Sequence, residues 1–234
     1  MEIRQVFVTG GTGYLGGALL PALLARGHRV RALARPASEA RLPAGCGAVT
    51  GSALNAASFA PQVAPADTLV HLVGVSHPAP WKAEQLRTVD LASARASLEA
   101  ARSAGVRHFV YLSVAQPAPA MRAYVAARAE AEALIAGSGL HATFVRPWYV
   151  LGPGHRWPYA LLPMYALLER LPSTRDTARR LGLVTLRQMV DALVRAVESP
   201  ADGVRVMDVE AIRGGGVGSC SIRTAGTLGS SVVP

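Results

Sequence analysis

The sequence predicts an α/β protein: a doubly wound parallel sheet with helices on both faces, in a single domain with a small C-terminal substrate-pocket region. Three observations predict it. Short apolar runs alternate with longer helical stretches along most of the chain, the pattern of βαβ units. One run, residues 67–74, is apolar almost throughout, as a central strand covered on both faces must be. The first run passes directly into a glycine-rich turn and then into an apolar helix.

Glu2 to Val8 reads as that first strand, with Ile3, Val6 and Val8 apolar, and Leu15 to Ala25 as the helix. Between them lies Thr9-Gly10-Gly11-Thr12-Gly13-Tyr14-Leu15-Gly16, with Gly10, Gly13 and Gly16 in G-x-x-G-x-x-G spacing. One glycine permits the tight strand-to-helix turn, one lets the backbone approach a pyrophosphate, and one allows close packing of helix on strand. The helix N-terminus adds N–H groups and a partial positive charge, which suit an anion. A plain glycine turn is the alternative.

Arg29 to Ala34 reads as strand two, Gly47 to Thr50 as strand three and Ala53 to Ala60 as a short helix. Asp67 to Gly74 is strand four, His77 to Trp81 a loop and Glu84 to Ser103 a long helix. Leu86, Val89, Leu98 and Ala101 suit that helix's buried side, and Gly105 its stop. Arg107 to Ser113 is strand five, and Gln116-Pro117-Ala118-Pro119 breaks the chain before a helix from Met121 to Ala136. His141 to Arg146 is strand six. Leu186 to Glu198 is a helix with Met189, Leu193 and Val197 on one face, and Gly203 to Val209 is the last strand. Trp157 to Leu171 is apolar and punctuated by prolines. It reads as a buried cover over a pocket, or as an exposed patch for a partner or membrane surface. Residues 213–234 are rich in Gly, Ser and Thr without helical period, and read as a flexible low-complexity tail. There is no internal repeat.

Composition narrows the function. The net charge is +9 and Lys82 is the only lysine, so nearly all of the basic charge is arginine, spread along the chain. That distribution fits a solvated basic surface and an affinity for anionic cofactors better than a nucleic-acid partner. Cys46 and Cys220 make neither a disulfide framework nor a metal cluster. With a strand beginning near Met1 no signal peptide is expected, and no apolar run reaches the length of an integral membrane span. A soluble cytoplasmic protein with a small-molecule substrate is expected, its oligomeric state open.

Strand two ends without an acid to bind the adenosine ribose hydroxyls. Arg31 and Arg35 stand there instead, and Glu39 is the first acid. Arginine can clasp a 2′-phosphate through two donors, which favours NADP over NAD, with NAD possible.

The glycine run, together with Arg146-Pro147-Trp148-Tyr149-Val150-Leu151-Gly152-Pro153-Gly154, resembles the short-chain dehydrogenase/reductase superfamily. The match is to its extended and atypical, epimerase/dehydratase-like branches, and can be followed from about Glu2 to Ile212. The resemblance implies an NAD(P)-binding Rossmann-like domain over residues 1–212, with a pocket cover at about 148–185. Cofactor contacts would come from Gly10, Thr12, Gly13, Tyr14, Leu15 and Gly16, from Arg35, from Val73 and Gly74 beside the ribose, and from Pro147. Gly51-Ser52-Ala53-Leu54-Asn55 stands where relatives carry G-D-x-x-D, so Ser52 replaces the acid that meets the adenine. Strand four resembles V-x-H-L-A-x. Its His71 reads as a structural histidine in preference to a base.

Active members of the superfamily use Y-x-x-x-K, with both side chains on one helix face. Here Tyr124-Val125-Ala126-Ala127-Arg128 puts arginine at the lysine position, and no other lysine is placed to substitute. A phenol near pKa ~10 needs a neighbouring cation to act near neutrality. Arg128 keeps the charge and the donors but is larger and planar. The alternative is a core tyrosine beside an arginine that pairs along the helix with Glu130 or Glu132. Ser113 is the candidate supporting hydroxyl, although Val114 can occupy the catalytic place. The catalytic set implied by the resemblance is Tyr124, Arg128 and Ser113.

Two functions are compatible with this. One is an NADPH-dependent oxidoreductase acting on a small carbonyl or quinone-like substrate. The other is a dinucleotide-binding regulator or a respiratory-complex accessory-type subunit without catalysis, for which the missing lysine argues. A sugar-nucleotide epimerase is a third reading, against which stands the short stretch after Gly154.

Overall fold

The computed structural model describes residues 2–75, 83–118, 121–153, 164 and 170–214. Seven parallel strands form one sheet in the order β3-β2-β1-β4-β5-β6-β9. These are β1 (Gln5–Thr9), β2 (Arg29–Ala34), β3 (Gly47–Thr50), β4 (Thr68–His71), β5 (His108–Leu112), β6 (His141–Val145) and β9 (Val204–Met207). A separate parallel pair joins β7 (Tyr149–Leu151) to β8 (Leu183–Thr185). The predicted doubly wound Rossmann architecture is the one observed, with strand order reversing between β1 and β4.

Period-two alternation divides the core between two faces. In β1, Val6 and Val8 point to one side and Phe7 to the other. The first side is covered by α1 (Tyr14–Ala25) and α5 (Leu186–Glu198), through Leu19, Leu20 and Leu23 on one and Met189, Leu193 and Val197 on the other. The second is covered by α2 (Ala92–Ser103) and α3 (Arg122–Ala136), where Ala100, Ala101, Ala131 and Ile135 meet Phe7, Phe109, Tyr111 and Phe144. Each large apolar side chain so buried contributes about 1.5–3 kcal/mol. Thr185 starts α5 through a capping box with Gln188.

Several boundaries differ from expectation. Strand four runs only from Thr68 to His71, and Leu72 N–H just past its end still donates to Thr9 O at 2.9 Å. Ala53 to Ala60 is not one helix. Asn55 caps a 3₁₀ turn at Ala56–Ser58, and a second, Ala60–Gln62, follows with Pro61 in its first turn. The long helix begins with one turn, Ala83–Gln85, then a π-helical segment, Leu86–Leu91, which runs into α2. Gly105 ends it with φ +71°, as its position implied. A short helix α4 (Arg175–Arg180) precedes β8. The last helix, α6 (Val209–Gly214), carries structure past Ile212, so the first two residues assigned to the tail, Arg213 and Gly214, are helical. The expected loop at His77–Trp81, most of the apolar segment 157–171, and tail residues 215–234 lie outside the described residues.

Candidate active site

The glycine turn joins β1 to α1 at the carboxyl ends of the central strands. Gly10 has φ +81°, and a Cβ there would stand 2.9 Å from the Leu72 carbonyl carbon, so only glycine lets this turn lie against the end of β4. Gly13 N–H donates to Gly10 O at 3.0 Å, which closes the turn, and Gly13 is the N-cap of α1. At Gly16 a Cβ would overlap the carbonyl oxygens of Gly10 and Gly11, so its absence lets α1 pack directly on the loop. No side chain caps α1 and no acid stands in its first turn, which leaves its positive end for an anion. Gly13 and Tyr14 are exposed, Thr12 and Leu15 half-buried, and Gly16 buried. The cradle therefore fits a dinucleotide pyrophosphate. The Tyr14 hydroxyl packs against Gly152.

At the end of β2 the two arginines separate. Arg31 is committed elsewhere: Nη2 donates to Val63 O at 3.1 Å and to Ala64 O, and its stem covers Gly47. It does not share Arg35's position, which corrects its expected part in cofactor choice. Arg35 is exposed at the N-cap of the 3₁₀ turn Pro36–Arg41. Glu39, the first acid after β2, accepts from the Thr50 hydroxyl at 3.1 Å. Ser52 is exposed. Its N–H donates to Ser58 Oγ at 3.0 Å and its Oγ accepts from Leu54 N–H at 3.3 Å.

His71 is the structural histidine expected. It is wholly buried, with Nδ1 2.8 Å from Thr9 Oγ1 and 2.9 Å from Ser97 Oγ, and Nε2 3.4 Å from Ser93 Oγ. Burial, and then the nearby Arg128 charge, lower its pKa to about 3, so it is neutral.

Just beyond His71, Gly74 lies against Arg128 of the helix carrying Tyr124. Arg128 is 3% exposed and reaches inward from α3 to the ends of β4 and β5. Its Nη1 donates to Leu112 O at 2.6 Å and approaches the Tyr111 hydroxyl at 3.4 Å. Its Nη2 lies 3.1 Å from Asp90 Oδ2, and Asp90 is 0% exposed. A Cβ at Gly74 would collide with Nη2, so glycine makes room for the guanidinium. Asp90 Oδ1 in turn accepts from Val75 N–H at 2.7 Å. Burial works against the Arg128 charge, but Tyr124, Tyr111 and Asp90 outweigh it and its pKa is raised. Burial pushes the Asp90 carboxyl up, opposed by Arg128 and the Val75 N–H. Arg128 and Asp90 form a buried ion pair, held by mutual attraction and by the backbone bonds to Leu112 O and Val75 N–H.

Tyr124 stands one turn before Arg128, half-buried, with its ring centre 5.3 Å from the guanidinium carbon. The structure thus brings Tyr124, Arg128 and Gly74 together. Arg128 does not pair along its helix: Glu130 takes Arg95 at 2.9 Å, and Glu132 takes Arg146 through both oxygens. Ser113 is buried, and its Oγ has no hydrogen-bond partner among the described residues, so no bond joins it to Tyr124. Pro147 is buried, and its carbonyl accepts from Ala115 N–H at 2.8 Å. Sequence reasoning missed Asp90. The available signal was a carboxylate between Val89 and Leu91, four residues after Leu86 and so on the helix's buried side.

The chain's residues 10–159 match the model of a family described as NAD(P)H-binding. It is 29% identical over 207 residues to a ceramide reductase of Caulobacter vibrioides, covering 87% of this chain and 64% of that protein. It is 32% identical over 229 residues to a 3-diazoavenalumate denitrifying reductase of a Streptomyces species, covering 85% of this chain and 74% of that one. It therefore spans less than two thirds of the first relative's length. Among solved structures, the Bordetella bronchiseptica enzyme WbmH in complex with NAD+ superposes with TM-score 0.66 at 22% identity, covering 88% of this chain and 75% of that one. No described helix is long and apolar enough to cross a membrane. With the cradle, the parallel sheet and these matches together, the chain belongs to the NAD(P)H-binding Rossmann-fold proteins of the short-chain dehydrogenase/reductase type.

Proposed function

We propose that this protein is an NADPH-dependent oxidoreductase that reduces a small carbonyl or quinone-like substrate, with Tyr124 as proton donor. The observation that carries the reading is the half-buried Tyr124 ring beside a buried, charged guanidinium at the carboxyl end of the sheet. Bound NADPH would supply the hydride. Gly10, Thr12, Gly13, Tyr14, Leu15 and Gly16 would hold its pyrophosphate, Ser52 its adenine edge, and Val73, Gly74 and Pro147 the nicotinamide half. Arg128 favours negative charge on the phenol oxygen as the proton leaves, and Ser113 offers a second hydroxyl from the end of β5. Residues 1–212 would act as one unit, with 148–185 forming the pocket wall. The names of both relatives as reductases support the reaction class.

The test is turnover of NADPH against a panel of carbonyls and quinones, in the parent and in Tyr124→Phe. The variant should keep cofactor affinity and lose about 10²–10⁴ in turnover, the usual contribution of general acid catalysis. Undiminished turnover would remove Tyr124 from the mechanism. The NADPH preference is assigned to Arg35, so Arg35→Ala should cost about 1.5–3 kcal/mol of NADPH affinity and leave NADH affinity unchanged. Equal affinity of the parent for the two cofactors, measured by calorimetry, would end that assignment. One observation favours a dinucleotide-binding regulator instead: both terminal nitrogens of Arg128 are already engaged by Leu112 O and Asp90. NADPH binding without turnover of any acceptor would select that reading.

A further inference from the structure

We propose that Asp90 is the positioning residue of this site: its buried carboxylate fixes the Arg128 guanidinium beneath Tyr124 and, through Val75 N–H, ties the end of β4 to the same charge. The part concerning Tyr124 rests on the catalytic reading above; the part concerning β4 does not. Asp90 lies in the π-helical segment Leu86–Leu91, and the wider π turn is part of the helix that carries its carboxyl to the strand ends. Each oxygen has a separate task. Oδ1 holds Val75 N–H at 2.7 Å, next to Gly74, and Oδ2 faces Arg128 Nη2 at 3.1 Å. Oδ2 has no well-directed hydrogen bond among the described residues, so its hold on Arg128 is chiefly Coulombic. Four other groups surround the guanidinium. Tyr124 lies on its own helix, Tyr111 and Leu112 O belong to β5, and His71, which stays neutral, belongs to β4. Asp90 is thus the one anion facing Arg128 among the described residues, and it sets both where the cation sits and how much of its charge Tyr124 feels.

Two variants of the full chain separate the two tasks. Asp90→Asn keeps an acceptor for Val75 and removes the charge. Its NADPH affinity should match the parent's, with the acceptor KM also unchanged. Its kcat should fall about 10²-fold, as for a catalytic group displaced by an ångström. Asp90→Ala also frees Val75, and should weaken NADPH binding by about tenfold, the loss of one hydrogen bond to a charged group. Should either variant fail to fold, Asp90→Glu keeps the charge but shifts the guanidinium, and its kcat should fall with NADPH affinity and acceptor KM retained. A parental kcat in Asp90→Asn, or in Asp90→Glu, would overturn the role toward Tyr124. Parental NADPH affinity in Asp90→Ala would overturn the role toward β4. If the parent binds NADPH but turns over nothing, the catalytic reading fails, and the calorimetric contrast between Asp90→Ala and Asp90→Asn still decides the β4 part.

Discussion

The glycine cradle and the Tyr124 corner lie at the same edge of one sheet, yet they are built from opposite materials. The cradle is backbone. Its shape comes from four missing side chains within seven consecutive residues, and its charge from the end of a helix. The corner is side chain. Its cation comes from α3, its anion from the segment before α2, and its remaining contacts from β4 and β5, 38 positions separating Asp90 from Arg128. A backbone site tolerates its surroundings and depends on a few local residues. A side-chain site depends on partners distant in sequence, and removing one strands another in a low-dielectric interior.

That contrast can be broken at either end. The largest effect is expected from Asp90→Ala in the corner. It leaves a buried guanidinium without its counter-charge, which costs about 3–5 kcal/mol of folding stability. Urea unfolding would measure it; a loss under 1 kcal/mol would mean that the corner is not held by the pair. The next effect is titration, to which the interior histidines are open and the cradle is not. Burial first, and neighbouring positive charge second, lower the pKa of His71 and of His108 to about 3. The unfolded chain, with histidine pKa near 6.5, therefore binds more protons between these values. The stability these groups contribute is complete above about pH 6.5 and is lost progressively as pH falls toward 3. Between pH 7 and pH 5 the two together should cost roughly 4 kcal/mol, and His108→Gln should halve the pH dependence. Unfolding free energies that are flat across this interval would contradict it.

The smallest effects sharpen the cradle side. Gly16→Ala places a methyl group against two backbone carbonyls, so it should cost about 1–3 kcal/mol of stability, and NADPH affinity with it. Gly17→Ala, on the same helix, meets nothing within 4 Å and should stabilise by about 0.5–1 kcal/mol. Thermal melts of the pair, with and without NADPH, would show whether position or helix propensity governs.

The same contrast explains what the sequence disclosed. The glycine spacing disclosed the tight turn and the close packing of α1 on the loop, because both are fixed within a few residues. The seven strands of the main sheet were legible to within a few positions, since one face or both are buried, whereas the short pair of β7 and β8 was not foreseen. His71 was readable as structural because an apolar strand leaves it no solvent. Arg31 was misread, since its partners, the Val63 and Ala64 carbonyls, are more than thirty residues away. Arg128 was placed at the right position but not with its partner. Helix spacing suggested Glu130 or Glu132, whereas α3 turns those two toward Arg95 and Arg146. Asp90 went unremarked because a single acid in a helix is ordinary, and only the tertiary fold reveals that it is buried.

Gly74 carries a consequence for how this sequence can change over generations. Its missing side chain is the space occupied by Arg128 Nη2, and Arg128 is in turn balanced by Asp90. A side chain at position 74 would push the end of Arg128 away from its place against Asp90, and a neutral residue at 128 leaves the acid at 90 without a cation. The three positions are coupled, so a larger residue at 74 should be borne best by a chain whose residue at 128 is shorter.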